Sequence, residues 1–252
     1  MKRSFQFGFL LLVALAIPRP ASAALGFAQA CNNFGAASTS SLVITCSTSA
    51  GSLLVLGFRQ GSNNTALSGV TDSAGQTWTQ IAIGSTGWDA STQGFMYYMA
   101  NSSAVTSVTV NLGAANTNRA AVVFEITGAA TSSPEDSSVK NSTASLVNSL
   151  TTAALTTTNA NDILIDMTYL NGSRTGWAAA GSYTLPSGGQ DSTGRIAMSY
   201  LIVGATQSGV TTSMSWGDAA VQAASIFAGF KEAAAGGGGA APPMMMMMGV
   251  GD

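Results

Sequence analysis

The stretch that most constrains what this chain can fold into runs from Leu67 to Ile83, L-S-G-V-T-D-S-A-G-Q-T-W-T-Q-I-A-I. Its centre, Asp72-Ser73-Ala74-Gly75, is the strongest turn signal in the sequence. Val70 and Thr71 stand before it, and Thr77, Trp78, Thr79, Ile81 and Ile83 after it. Alternating β-branched and aromatic residues interrupted by Asp, Ser and Gly predict a β-hairpin.

The rest of the chain carries the same kind of signal. Ser52 to Phe58 (S-L-L-V-L-G-F) is apolar on both alternation phases, which predicts a central strand covered on both faces. Ser107 to Leu112 alternates, with Val108, Val110 and Leu112 inward and Thr109 and Asn111 outward. Asp162 to Leu170 puts Ile163, Ile165, Met167 and Tyr169 on one face. Leu42 to Cys46, Gly94 to Ala100, Arg119 to Thr127 and Ile196 to Val203 also read as strands, as does Ala223 to Lys231. Ala24 to Thr39 is mixed, and Thr131 to Asn148 reads as a mostly polar connection around Ser133-Pro134-Glu135-Asp136. About ten or more short strands separated by turns predict an all-β chain: an antiparallel β-sandwich, jelly-roll-like, in a single domain.

Three segments follow from composition. Lys2 and Arg3, the apolar run Phe9 to Ile17 and Ala21-Ser22-Ala23 make residues 1–23 a secretory signal peptide. Residues 24–232 form the β-sandwich domain. Residues 233–252, an Ala/Gly linker followed by Pro242-Pro243 and Met244 to Met248, predict a disordered tail. The five adjacent methionines cannot all turn toward one ion, so they carry no copper reading. With the leader removed, six basic residues stand against eleven acidic ones, a balance of −5. So sparse a charge excludes nucleic acid, which is bound by phosphate neutralisation, and an anionic membrane surface. Cys31 and Cys46, an even pair in an exported chain, predict a disulfide.

In chain order, S-L-L-V-L-G-F, V-T-D-S-A-G-Q-T-W-T, G-F-M-Y-Y-M-A, S-V-T-V-N-L, A-A-V-V-F-E-I-T-G, S-S-P-E-D, N-D-I-L-I-D, G-S-Y-T-L and A-G-F-K form a recognisable series. Over Leu42 to Lys231 the chain resembles a secreted bacterial jelly-roll-like β-sandwich module, often attached to exported surface proteins. The resemblance implies that fold and an extracellular setting. It transfers no catalytic residue.

Histidine is absent. That removes Ser-His-Asp and Cys-His catalysis and leaves two-carboxylate chemistry as the surviving enzymatic route. Glu125 stands out inside an apolar strand, with Arg59 or Arg119 as expected ion partners, and Asp72 reads as a turn-former. Calcium is the one cofactor with candidate loops, Gln190 to Gly194 and Thr71 to Gly75, although neither repeats a regular Asp spacing.

Aromatic residues in polar loops are the stronger lead. Trp88 beside Asp89, and Trp177 in the loop that holds Asn171, have the make-up of a sugar-stacking site, an indole face with hydrogen-bonding neighbours. Trp78 and Trp216 lie within strand patterns and belong to the core. The expectation is therefore a secreted, non-catalytic binding module for carbohydrate or a cell-surface polymer, with Trp88, Asp89, Asn171 and Trp177 as ligand contacts. The alternatives are a self-associating structural subunit of a surface layer, filament or matrix, and a carboxylate-dependent glycosidase or lyase.

Overall fold

The computed structural model describes residues 24–61, 67–89 and 92–234; the leader segment and the tail from 235 lie outside them. The first half of the described chain holds eight strands. They are β1 (Gly26–Gly35), β2 (Thr39–Thr45), β3 (Ser52–Gln60), β4 (Leu67–Asp72), β5 (Thr79–Gln80), β6 (Gln93–Ser102), β7 (Ser107–Asn116) and β8 (Arg119–Thr127). Seven more follow: β9 (Glu135–Val147), β10 (Ser149–Thr151), β11 (Asp162–Leu170), β12 (Ala178–Ala179), β13 (Ile196–Val203), β14 (Ser213–Ser215) and β15 (Val221–Lys231). Every pairing is antiparallel.

The same winding occurs twice. In the first half a sheet ordered β1-β8-β3-β6-β5 faces one ordered β2-β7-β4. In the second, β9-β15-β11-β13 faces β10-β14-β12. Matching strands in order (β1 with β9, β2 with β10, β3 with β11, β4 with β12, β6 with β13, β7 with β14, β8 with β15) makes the two arrangements the same but for the two-residue strand β5. Each is the jelly-roll order of two interleaved Greek keys. Even the irregular parts correspond: Thr79 pairs with Tyr98 in one half, and Thr184 bridges to Tyr200 in the other.

The two larger sheets pack face to face, which explains the strands that are apolar on both phases. One face of β3 and β8 (Leu53, Val55, Phe124, Ile126) meets one face of β11 and β15 (Ile163, Ile165, Ile226, Phe230) in a core shared by both halves. The opposite face of β3 and β8 (Leu54, Leu56, Phe58, Val123) closes the first sandwich against Leu42, Ile44, Val108 and Val110. Such strands, covered on both sides, have no room for alternation with polar residues. Gly57 makes the contact between halves close. A Cβ there would lie 2.6 Å from Met198 Sδ and 2.7 Å from Met167 Sδ. Two tyrosines at matching positions reach across the same layer: Tyr98 meets the Phe230 ring edge-on at 5.7 Å, and Tyr200 meets Phe124 at 6.2 Å.

Three sequence expectations need correction. The stretch Leu67 to Ile83 is not a hairpin, because β4 pairs with β7 and β5 with β6, in different sheets. The Asp72 carboxylate is the reason. Its Oδ1 accepts the N–H groups of Ala74 and Gln76, and its Oδ2 accepts Trp78 Nε1–H at 3.0 Å. The turn is thereby tied to a buried indole, and the chain crosses from one sheet to the other instead of doubling back. Second, the mixed segment before Leu42 contains a ten-residue strand, β1. Third, the polar stretch after Pro134 is the thirteen-residue edge strand β9. Edge strands with one wetted face carry few apolar residues, so polar composition hid it. The disulfide is present. Cys31 of β1 bonds Cys46 just after β2, with Cα atoms 5.6 Å apart, and so clamps the two sheets of the first half. A disulfide is consistent with an oxidising compartment.

Candidate functional site

Where the halves meet at the surface, residues 81–89 and 92–93 lie along β9 and form an open polar cleft. Ala82 N–H donates to both Glu135 oxygens at 3.0 and 3.1 Å, and Ile83 N–H donates to Ser138 Oγ at 3.3 Å. Lys140 Nζ donates to the carbonyls of Ile83 at 3.2 Å and Ser85 at 2.9 Å. These bonds stitch the seam and leave a depression toward either end of it. One, of about 410 Å³, is lined by Ser85, Asp89 and Gln93 from the first half and Lys140, Asn141 and Ser142 from β9. The other, of about 390 Å³, is lined by Ile83 and Tyr98 against Ser133, Glu135, Ser137 and Ser138.

The wall of this cleft is held from behind by the second half. Tyr169, buried in β11, donates its hydroxyl to the Thr86 carbonyl. Its ring lies against Gly94, where any side chain would collide with it, and 5.2 Å from the Trp88 ring. Burial pushes the Tyr169 phenol well above its ordinary range, so it stays a neutral donor. Asp89 Oδ1 accepts Thr92 N–H at 2.7 Å.

The structure divides the four residues expected to bind ligand. Asp89 lines the larger depression. Trp88 packs its ring on the core shared by both halves, and its Nε1 is buried without a hydrogen-bond partner among the described residues. Trp177 lies in a different layer, beyond the β11 sheet. It is 9% exposed, its ring is 5.5 Å from that of Trp216, and its Nε1 donates to the Gly194 carbonyl. The expected exposed indole at Trp177 is thus corrected: it plugs the end of the second sandwich and offers no open face. Asn171 is exposed and donates its amide to Gln222 Oε1 at 2.8 Å. Gln93, Lys140, Asn141 and Ser142 were not singled out by the sequence, since three of them sit in the strand that read as a polar connection.

The acids are mostly committed to the fold. Glu125, 3% exposed, accepts bonds from Gln29 Nε2, Ser49 N–H and Ser52 Oγ in place of the expected arginine. Asp191 accepts the N–H groups of Thr193, Arg195 and Ile196, and Asp72 is filled as described. Both expected calcium loops therefore direct their carboxylates at N–H and O–H donors of their own segments. Among the described residues no group of three or more His, Cys, Asp or Glu is placed to hold a metal. Asp136 and Asp162 lie close enough to interact. Asp162 is fully buried; burial, and then the nearby Asp136 charge, push it up to about 7. Asp136 is held low despite burial by bonds from Thr158 and Asn159.

Fold and cleft together define the chain as two jelly-roll-like sandwiches joined back to back, with a polar groove along their junction. No protein-family model matches the chain, and no curated protein matches it.

Proposed function

We propose that this chain is an exported, non-catalytic binding module that takes a neutral, hydroxyl-rich polymer in the seam cleft. The observation that carries the reading is the lining of the larger depression, which mixes hydroxyls, amides, one carboxylate and one ammonium drawn from both halves. Such a surface offers donors and acceptors in comparable number and little net charge, which suits a polyol better than a phosphate or a lipid headgroup. Tyr98 in the second depression adds an aromatic edge. The low charge of the whole chain and the resemblance to exported sandwich modules support the same reading. Pull-down or affinity electrophoresis against a panel of neutral and acidic polysaccharides tests it. A neutral polymer should be retained by the native chain and lost with Gln93→Ala plus Ser142→Ala, both of which line the cleft. Retention undiminished in that double variant would place binding elsewhere.

A further inference from the structure

Among its apolar side chains the interior of the second sandwich holds buried oxygen-bearing residues at positions where the first holds Leu56 and Phe58. On the inner face of β11, between Leu164 and Leu170, stand Asp166 and Thr168, both fully buried. Ser199 is paired directly with Asp166, and Ser225 with Thr168, on the flanking strands. Thr212, from the facing segment, is buried as well. The hydroxyls of Ser199, Ser225, Thr212 and Tyr183 are all buried without a hydrogen-bond partner among the described residues. Among the described residues Thr168 Oγ1 is the donor to the carboxylate, at 3.3 and 3.2 Å from its two oxygens. Directly beside Asp166 on the flanking strands stand Ser199 and Phe227, neither of them charged. A buried anion with no cation beside it is costly, and unpaired hydroxyls add to that cost.

We propose that this interior binds a hard, oxygen-preferring cation, with Asp166 as the anionic ligand and the hydroxyls of Thr168, Ser199 and Ser225 beside it. The donor set is all oxygen, which suits sodium or calcium and no soft metal. Tyr183, whose phenol is raised by burial and then by the nearby Asp166 charge, lines a surface depression of about 310 Å³ together with Gly181, Leu201 and Thr212. The site is separate from the seam cleft and does not depend on the binding function proposed there.

The test is thermal unfolding of the mature chain, dialysed into tetramethylammonium buffer at pH 8, as calcium or sodium is added. One of the two should raise Tm saturably by about 5 °C or more. Asp166→Asn should abolish that shift, and Ser199→Ala plus Ser225→Ala should move its midpoint about tenfold upward. Magnesium, which keeps its waters, should not substitute. No cation-specific shift, an equal shift with magnesium, or a shift retained in Asp166→Asn would each overturn the proposal. Should Asp166→Asn fail to fold, the serine double variant decides alone: an unmoved midpoint overturns it.

Discussion

In the first sandwich Leu56 and Phe58 face Ala121 and Val123 across one strand pair and Tyr97 and Phe95 across the other. At the same register positions the second holds Asp166 and Thr168, facing Phe227 and Ser225 on one side and Ser199 and Ala197 on the other. One winding thus encloses two different interiors. What the two sandwiches have in common is the layer between them, where Val55 and Ile165 occupy matching places. Topology is therefore carried by the shared apolar layer and the strand order. The second half keeps its own apolar clusters around Trp177, Trp216, Leu164 and Phe227 and still admits Asp166 and Thr168 between them.

Exchanging residues across the comparison should give the largest effect. Leu56→Asp would bury a carboxyl in the apolar cluster around Leu54, Phe58 and Val123 and should cost more than about 4 kcal/mol, enough to prevent folding. The reverse change, Asp166→Leu, removes an uncompensated buried acid and should leave the chain as stable or more so at pH 8 without added cations. Chemical denaturation measures both. If Asp166→Leu proves as damaging as Leu56→Asp, the two interiors are not different in kind.

The disulfide belongs to the first half alone. Replacing Cys31 and Cys46 by Ser should cost about 3 kcal/mol for a loop of this length. Hydrogen exchange should then show β1 and β2 losing protection before β11 and β15. Uniform loss across both halves would mean that the shared layer couples them into one cooperative unit.

Acidity should separate the halves next. Asp162 and Asp166, both in the second half, are each pushed up to about 7 in the folded chain, chiefly by burial. A raised acid holds its proton in the folded state when the unfolded chain has already released it. Its stabilising contribution is therefore complete below about pH 4 and is lost as pH rises through about 7. Stability in cation-free buffer should fall by about 2 kcal/mol or more between pH 5 and pH 8. Asp166→Asn should remove roughly half of that slope. A flat profile would show that both carboxylates find partners in solution.

Much of this was legible in the sequence. The strands of the shared layer announced themselves because burial on both faces demands unbroken apolar runs, as in S-L-L-V-L-G-F. What escaped was information held between distant segments. Nothing local tells that the Asp72 turn joins two sheets, since the deciding bond runs to an indole six residues on. The polar edge strand β9 was invisible for want of an apolar face, and with it went the cleft residues it carries. Trp88 and Trp177 illustrate the limit of reading indoles by their neighbours. Polar flanks describe the loop, whereas ring burial is set by Tyr169 and Trp216, which other strands supply. The doubling itself left a faint trace, W-T before one tyrosine-bearing strand and Y-T before the other, too short to stand out before the pairings were known.

The smallest contrast lies in the turns that lead into those W-T and Y-T segments. Both contain a glycine with positive φ, 74° at Gly75 and 63° at Gly181, so both have the backbone freedom the crossing needs. Only the first has an acid at its head. Asp72→Ala would strip acceptors from the N–H groups of Ala74 and Gln76 and from the buried Trp78 indole, and should cost about 1–2 kcal/mol. Ser182→Ala, in an exposed position of the matching turn, should change stability by less than about 0.5 kcal/mol. Equal costs would show that glycine, rather than the acid, carries the crossing in both halves. Unequal costs would show that the first turn is held by its side chain, and that the second relies on the strands it joins.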